Sequence, residues 1–269
     1  FVTTPIVAAF IYNKFGILGT FILISVLLML SLTLTLFIGT PHATETKKEK
    51  EKGLIGYIRE FKEGIAELNN NKFAKIFVIV APLINFSFSA VFSVVITYVF
   101  LEVFKVSDYL YGYYRMATAG VGLLVPFFIL PIIKKFKPEK LLKYSSLSIS
   151  AILLLISGCV YMGMKGGKEE ILVAVCLITV LDCLIITSVI PLNIATQVFF
   201  QKNIKNEYRS RIMSVFSMLA LSSEPLGNMF YGFLSNMLPA YICIFIASGA
   251  VLTSYPLILY VTKDRQCSN

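Results

Sequence analysis

The chain has 269 residues, of which 57% are hydrophobic and only 14% are charged, whereas an average soluble domain is roughly 45–50% apolar and about 25% charged. Its apolar residues are gathered in runs that are long enough for a helix to cross a hydrocarbon layer of about 30 Å. A soluble globular protein is therefore excluded, and an all-α integral membrane protein is predicted. The net charge of +9 does not indicate nucleic-acid binding, because the basic residues lie between the apolar runs.

The apolar runs predict seven complete transmembrane spans, preceded by part of another helix. Residues 1–12 would form a helix about 18 Å long at 1.5 Å per residue, which is too short to cross a bilayer. Asn13 and Lys14 are predicted to form a turn after it. The complete spans are predicted at about residues 15–38, 73–100, 109–133, 141–162, 170–200, 212–233 and 240–261.

The distribution of Lys and Arg predicts the orientation. Alternate loops lie on the same side of a membrane, and cytoplasmic loops are enriched in basic residues. The loops at 39–75, 134–143 and 201–211, together with the C-terminal tail, carry nineteen of the 24 basic residues, whereas the loops of the other parity carry four. We therefore expect a multi-pass protein of the cell membrane with its long basic loop and its C-terminus in the cytoplasm.

Residues 39–72 form the only long polar segment of the sequence. Its KKEKEK run cannot bury apolar surface, so a flexible, solvated linker is predicted there. Further along the segment, apolar residues recur at spacings of four and three, which is typical of an amphipathic helix lying on the cytoplasmic surface of the membrane. We expect this amphipathic helix to be a structural strut rather than a regulatory switch. The apolar positions are Leu54, Ile58, Phe61, Ile65 and Leu68.

A long basic loop followed by six spans resembles the central linker and C-terminal half of the major facilitator superfamily. Residues 111–131, YGYYRMATAGVGLLVPFFILP, resemble the glycine-containing eighth helix of the drug and macrolide efflux branch. Residues 207–232, EYRSRIMSVFSMLALSSEPLGNMFYG, resemble that branch's entry into its eleventh helix. Two residues depart from the branch pattern: Ser210 replaces a glycine, and Glu224 replaces a residue that is more often small or apolar.

The resemblance implies a major facilitator type helical bundle with about seven and a half of its expected twelve transmembrane helices in this chain. Residues 1–38 would be the end of the N-terminal six-helix bundle, namely part of helix five and helix six. Residues 39–72 would be the cytoplasmic linker with its amphipathic helix, 73–262 the C-terminal bundle of helices seven to twelve, and 263–269 a cytoplasmic tail. We expect about four and a half further helices before Phe1.

Three ionisable residues within predicted spans are the main site candidates: Asp182, Glu224 and Arg115. Such residues are costly in a membrane, about 2.5–3.5 kcal/mol at a helix centre on insertion scales, and so mark functional positions. The resemblance would place them on helices ten, eleven and eight, which line the superfamily's cavity, whereas helices nine and twelve face lipid.

Asp182 and Glu224 are expected to be proton-coupling or substrate sites, because burial favours the protonated form of a carboxylate. A structural hydrogen bond between helices is the alternative for either residue. Arg115 would either pair with one of these carboxylates or extend to the outer interface.

Neutral polar residues within the spans are weaker candidates for contacts with a substrate in the cavity. They are Asn85, Asn193, Gln197 and Asn228. Hydrogen bonding between helices is the alternative, worth about 0.6 kcal/mol on average.

Enzymatic chemistry, a metal site and a cofactor are not expected. The sole histidine, His42, lies in the polar linker, no His or Cys cluster has the spacing of metal ligands, and no phosphate-binding loop is present. Asp182 has no second intramembrane aspartate with which to form a protease dyad. A channel ranks below a transporter, because no charged ring or carbonyl filter segment is visible.

The expected function is that of a secondary active transmembrane transporter, with proton-coupled efflux of drug-like or macrolide-like small molecules by alternating access. This mechanism is implied by the resemblance. A solute importer or uniporter of the same fold is the first alternative, and a non-transporting membrane scaffold is the second if the truncation is natural. The expected partners are the lipid bilayer, a small-molecule substrate and protons, but not nucleic acid, and the complete protein is expected to be monomeric.

Overall fold

The computed structural model describes residues 3–37, 72–133, 135–204 and 206–266. Within these ranges the chain is almost entirely helical and contains no strand, so the all-α prediction is confirmed. The predicted amphipathic helix at 54–68, most of the basic linker and the last three residues of the tail lie outside the described residues.

The chain divides into two compact units, Phe1–Gly56 and Tyr57–Asn269. The first unit contains one described helix, α1 (Thr3–Phe37), which is interrupted at Gly16, where φ is 65° and ψ is −169°. This backbone conformation is accessible to glycine at little steric cost. The turn predicted at Asn13 and Lys14 is wrong, because both residues are helical and the break falls at the glycine that follows them.

Six helical segments are described in the second unit. The first, α2, covers residues 72–103: it is α-helical over Lys72–Ala90 and Ile96–Tyr98, and widens into π-helical turns at Val91–Val95 and Val99–Val103. The other helices are α3 (Asp108–Ile133), α4 (Pro138–Lys165), α5 (Lys168–Asn203), α6 (Asn206–Met237) and α7 (Ala240–Gln266). Each of the six spans predicted between residues 73 and 261 coincides with one of these helices.

Five of the described helices contain a stretch that is long and apolar enough to cross a membrane. These stretches are Phe15–Thr35, Val78–Val103, Lys140–Lys165, Lys168–Lys202 and Ala240–Tyr260. The other two helices, α3 and α6, are also long, with 26 and 32 residues respectively. In α6 the apolar sequence is interrupted by polar side chains, among them Glu224 and Asn228.

The helices of the second unit pack in a defined set of pairs. α2 packs against α6 and α7, α4 packs against α5 and α7, and α3 packs against α5. Fully buried apolar side chains fill these contacts, for example Ile156, Ile178 and Ile244. Such close packing stabilises helix association in lipid, where the hydrophobic effect between helices is weak. α5 and α6 touch each other at only a few points, which leaves a gap between them.

Hydroxyl groups tie α4 to α7 along a buried line that we call the serine seam. Ser146 Oγ lies 2.6 Å from Ser254 Oγ, and Ser157 Oγ donates to the carbonyl of Tyr241 at 2.7 Å. Between them, Ser150 and Ser248 each donate to the other's carbonyl oxygen, at 3.0 and 2.9 Å. Residue numbers rise along α4 as they fall along α7, so the two helices are antiparallel here.

Candidate functional site

Glu224 lies at the contact between α2 and α6. It accepts a hydrogen bond from Ser89, with Ser89 Oγ 2.6 Å from Glu224 Oε1. One turn further along both helices, Ser93 Oγ lies 2.7 Å from Asn228 Oδ1. We call these four residues the carboxylate seam. Ser93 is exposed and the other three are half-buried, so the seam is not sealed inside the bundle.

The backbones of α2 and α6 approach each other closely beside the seam. A Cβ atom added at Gly227 would collide with the carbonyl oxygen of Phe86, so the approach requires glycine at this position. Pro225 has no N–H to donate to the carbonyl of Leu221, one turn earlier in α6. Ser93 lies in the first π-helical turn of α2, and such turns are frequent at functional sites.

A cavity of about 410 Å³ lies between α2, α5 and α6, with α4 and α7 behind it. Its volume is within the range of pockets that hold drug-sized molecules, about 300–1,000 Å³. Three of the four neutral polar candidates line it: Asn85 from α2, and Asn193 and Gln197 from α5. The fourth, Asn228, lies in the carboxylate seam instead. The apolar lining includes Ile84, Phe88, Val189, Met213 and Phe216.

The cavity lining extends to Phe88 on α2 and Leu221 on α6, next to the carboxylate seam. On α2, Asn85 lines the cavity and Ser89 follows it by four residues. On α6, Ala220 lines the cavity and Glu224 follows it by four residues. Because residues four apart lie on the same face of a helix, Ser89 and Glu224 continue the two cavity walls.

Asp182 lies in a different environment from Glu224. It is 6% exposed and accepts a hydrogen bond from Tyr114 of α3, with Tyr114 Oη 2.8 Å from Asp182 Oδ2. The ring of Tyr114 packs against Phe100 of α2, with 4.8 Å between the ring centroids. Asp182 therefore connects α5 to α3, and it does not line the cavity.

Arg115 makes no ion pair with Asp182 or Glu224 within the described part of the chain. It is exposed, and its guanidinium carbon lies 5.9 Å from the centroid of the Tyr111 ring, which is within the range of a cation–π contact, about 6 Å. Tyr111 in turn shares a hydrogen bond of 2.8 Å with Thr97 of α2. Arg115 thus contacts a residue of its own helix, and it is Tyr111 that connects α3 to α2.

Sequence reasoning missed Ser89, Ser93 and Tyr114. A signal existed for Tyr114, since a tyrosine hydroxyl within an apolar helix requires a polar partner. No such signal distinguished Ser89 and Ser93 from the other serines of the spans, because serine hydroxyls also bond to carbonyls of their own helix. Ser222 does so, with Oγ 2.5 Å from the carbonyl of Met218.

Among the described residues, no group of three or more His, Cys, Asp or Glu side chains is placed to bind a metal ion. The four cysteines in the described ranges are free thiols, namely Cys159, Cys176, Cys183 and Cys243.

Comparison with known families identifies the fold. The sequence matches the profile of the Major Facilitator Superfamily over residues 1–227. The chain belongs to the Major Facilitator Superfamily. Members of this superfamily are multi-pass secondary transporters and are generally not enzymes. The family match and the helical structure together confirm the predicted all-α bundle of the major facilitator type. No curated protein and no solved structure matches the chain significantly, and membership of the drug and macrolide branch stays a prediction.

Proposed function

We propose that this major facilitator protein is a proton-coupled exporter of drug-like or macrolide-like small molecules that works by alternating access. The observation that carries the proposal is the placement of Glu224, a carboxylate in the 32-residue helix α6, three residues after Leu221 in the wall of a cavity of about 410 Å³. Intramembrane carboxylates are costly and mark ion or substrate pathways. A carboxylate beside a substrate cavity is suited to link proton binding to substrate release.

The composition of the cavity wall supports the substrate class. Aromatic, aliphatic and methionine side chains form most of the lining, and no ionisable residue is among the described lining residues. The carboxamides of Asn85, Asn193 and Gln197 each provide hydrogen-bond donors and an acceptor. This combination suits apolar molecules that carry carbonyl, hydroxyl or ether groups, because such sites orient ligands with a few polar contacts.

The proposed proton-binding step takes place on the carboxylate of Glu224. In its ionised form the carboxylate accepts the hydrogen bond from Ser89, and no cationic side chain pairs with it among the described residues. A proton taken up on the carboxylate would remove the negative charge and turn one oxygen into a donor. The proton would leave again on the opposite side of the membrane once the transporter has changed its access.

The proposed architecture assigns the six described helices of the second unit to a C-terminal bundle at residues 73–262 and α1 to the end of an N-terminal bundle. A cavity in this family is formed between the two bundles, near the middle of the membrane. The orientation we propose places the basic linker, the loops after α3 and α5, and the tail at residues 263–269 on the cytoplasmic side of the cell membrane.

Transport by the protein expressed from its complete open reading frame tests the proposal. In proteoliposomes, an imposed proton gradient is expected to drive a fluorescent amphipathic drug across the membrane against its own concentration gradient. Glu224→Gln, which keeps the side-chain shape but cannot carry a proton, is expected to abolish proton-driven transport while exchange of labelled for unlabelled substrate persists. Asp182→Asn is the matching variant: it also replaces a carboxylate by an amide, but at a residue that bonds to Tyr114 and does not line the cavity.

The outcomes separate the proposal from its alternatives. Proton-driven transport that persists in both Glu224→Gln and Asp182→Asn would refute proton coupling through these carboxylates. Downhill flux that ignores the proton gradient indicates a uniporter. The absence of any flux from a folded, complete protein indicates a scaffold.

A further inference from the structure

The two ends of α4 differ in charge. Residues 134–143, where α3 ends and α4 begins, contain five lysines and one glutamate, a net charge of +4. Residues 165–170, where α4 ends and α5 begins, contain two lysines and two glutamates, a net charge of zero. At this second end, Glu170 accepts a hydrogen bond of 2.8 Å from the N–H of Gly167. The excess positive charge is therefore confined to the first end, and we call residues 135–144 the basic hairpin.

The lysines of the basic hairpin are not used within the protein. Lys135, Lys137 and Lys140 are exposed, and none of them makes an ion pair or a side-chain hydrogen bond to a group that the structure describes. Arg209, in the basic loop at 201–211, behaves differently: it is half-buried and donates to the carbonyl of Gln201 at 2.7 Å. The three lysines are therefore available to a partner outside the described bundle.

The backbone of the basic hairpin is held in a defined turn. The N–H of Phe136 donates to the carbonyl of Ile133 at 3.0 Å, and the N–H of Lys140 donates to the carbonyl of Lys137 at 3.0 Å. Ile133 before the turn and Leu142 after it are both buried. The hairpin thus presents its lysines from a fixed position at the end of two packed helices.

An exposed stripe of α4 runs from the basic hairpin along the apolar part of the helix. It begins at Lys140 and continues through Tyr144, Leu147 and Leu154, which are 70%, 43% and 48% exposed and share one face of the helix by their spacing. Lys140 is also the first residue of the stretch of α4 that is apolar enough to cross a membrane. A cation, then an aromatic ring, then aliphatic side chains is the order expected where a helix passes from lipid head groups into hydrocarbon. The lysines therefore continue a surface that suits lipid.

We propose that the basic hairpin binds the phosphate head groups of anionic phospholipids through Lys135, Lys137 and Lys140. Clusters of basic residues next to a membrane helix are typical of such binding, and each one near an anionic surface contributes about fivefold in affinity. Phe136 lies between two of these lysines and is 51% exposed, so its ring can enter the head-group region beside them. This contact lies outside the cavity and goes beyond the proposed function, on which it does not depend.

Lipid binding to the purified, complete protein tests this inference. In detergent, dioleoyl phosphatidylglycerol is expected to raise the thermal midpoint more than the same amount of dioleoyl phosphatidylcholine, because a ligand that binds only the folded state stabilises it. The difference is expected to shrink as NaCl is added, since salt screens exposed charges. A photoactivatable phosphatidylglycerol is expected to label the peptide that contains residues 135–144.

Substitutions at the two ends of α4 locate the binding. Lys137→Gln is expected to weaken phosphatidylglycerol affinity about fivefold, and the combination of Lys135→Gln, Lys137→Gln and Lys140→Gln about a hundredfold. Lys137→Arg, which keeps the charge, is expected to bind as the wild type does. The matched control combines Lys165→Gln with Lys168→Gln, which removes exposed lysines at the other end of α4. It is also expected to retain wild-type affinity.

Three results would overturn the inference. The first is a wild type that binds phosphatidylglycerol no better than phosphatidylcholine. The second is a folded triple variant that keeps wild-type affinity, or a control at 165 and 168 that loses as much as the triple variant. The third is a rise in thermal midpoint with soluble glycerol phosphate equal to that with phosphatidylglycerol, which would show a site for a free phosphate instead of a lipid surface.

Discussion

The serine seam and the carboxylate seam use the same residue type in different ways. Along α4 and α7, buried serines bond to one another or to backbone carbonyls, and no ionisable residue takes part. Along α2 and α6, serines bond to the side chains of Glu224 and Asn228, and the seam borders the cavity.

The difference shows that a serine in a membrane helix is interpretable only together with its partner. A buried hydroxyl that meets another hydroxyl or a carbonyl satisfies its own hydrogen-bonding requirement and stabilises packing. A hydroxyl that meets a partly exposed carboxylate affects a group that can change its charge. We therefore expect the serine seam to contribute to stability and the carboxylate seam to contribute to transport.

The largest expected effect on stability comes from Gly227→Ala. The added methyl group would collide with the carbonyl of Phe86, and overpacking of this kind costs about 1–3 kcal/mol of the free energy of unfolding. Gly232→Ala is the matched control on the same helix, because the nearest atom to its new Cβ would be 3.8 Å away. Thermal unfolding of the two purified variants measures the difference. Equal stability would contradict the close approach of α2 and α6.

Tyr114→Phe extends the comparison to the second carboxylate. It leaves Asp182 buried without its hydrogen-bond donor, and the expected loss is about 1 kcal/mol, within the range measured for hydrogen bonds in membrane proteins. Tyr111→Phe, which removes a half-buried hydroxyl that bonds to Thr97, is the control with the same chemical change. A Tyr114→Phe protein as stable as the wild type would show that the bond to Asp182 does not hold α3 to α5.

Ser89→Ala and Ser146→Ala separate the two seams directly. Ser146→Ala is expected to lower stability by about 0.6 kcal/mol and to leave the transport rate unchanged. Ser89→Ala is expected to lower the transport rate more than it lowers stability, because its hydroxyl contacts the Glu224 carboxylate. Both quantities are measured on each variant, and the reverse pattern would contradict the distinction.

The smallest effects are coupling energies within the serine seam. Ser146 and Ser254 bond through their side chains, so a double-mutant cycle to alanine is expected to give a coupling of about 0.6 kcal/mol. Ser150 and Ser248 each donate mainly to the other's backbone carbonyl, which alanine retains, so their coupling is expected to be close to zero. Equal couplings would show that the bonding pattern differs from that described.

The helices were largely predictable from the sequence because length and hydropathy determine which segments suit a membrane. Each of the six complete spans predicted between residues 73 and 261 coincides with one helix. The prediction of a turn at Asn13 and Lys14 is wrong because these polar residues continue the helix, whereas the backbone departs from helical geometry at Gly16. The lengths of helices outside the hydrocarbon layer were not predictable either, as in α5, which has 36 residues.

The candidate site was predictable only in part. The cost of charge in lipid identified Asp182 and Glu224, and polarity identified Asn85, Asn193 and Gln197, which the structure brings to one cavity. The pairing of α2 with α6 depends on the complementary shapes of two helices far apart in sequence, so the Ser89 contact could not be foreseen. The function of these residues stays a prediction.

Substrate-driven proton movement tests the central claim, that Glu224 beside the cavity couples protons to transport, most directly. Proteoliposomes holding the complete protein and an internal pH-sensitive dye are given an outward or inward substrate gradient without a proton gradient. The wild type is expected to move protons opposite to the substrate, and Glu224→Gln is expected to move none while it still exchanges substrate. Equal proton movement in both proteins would contradict the account.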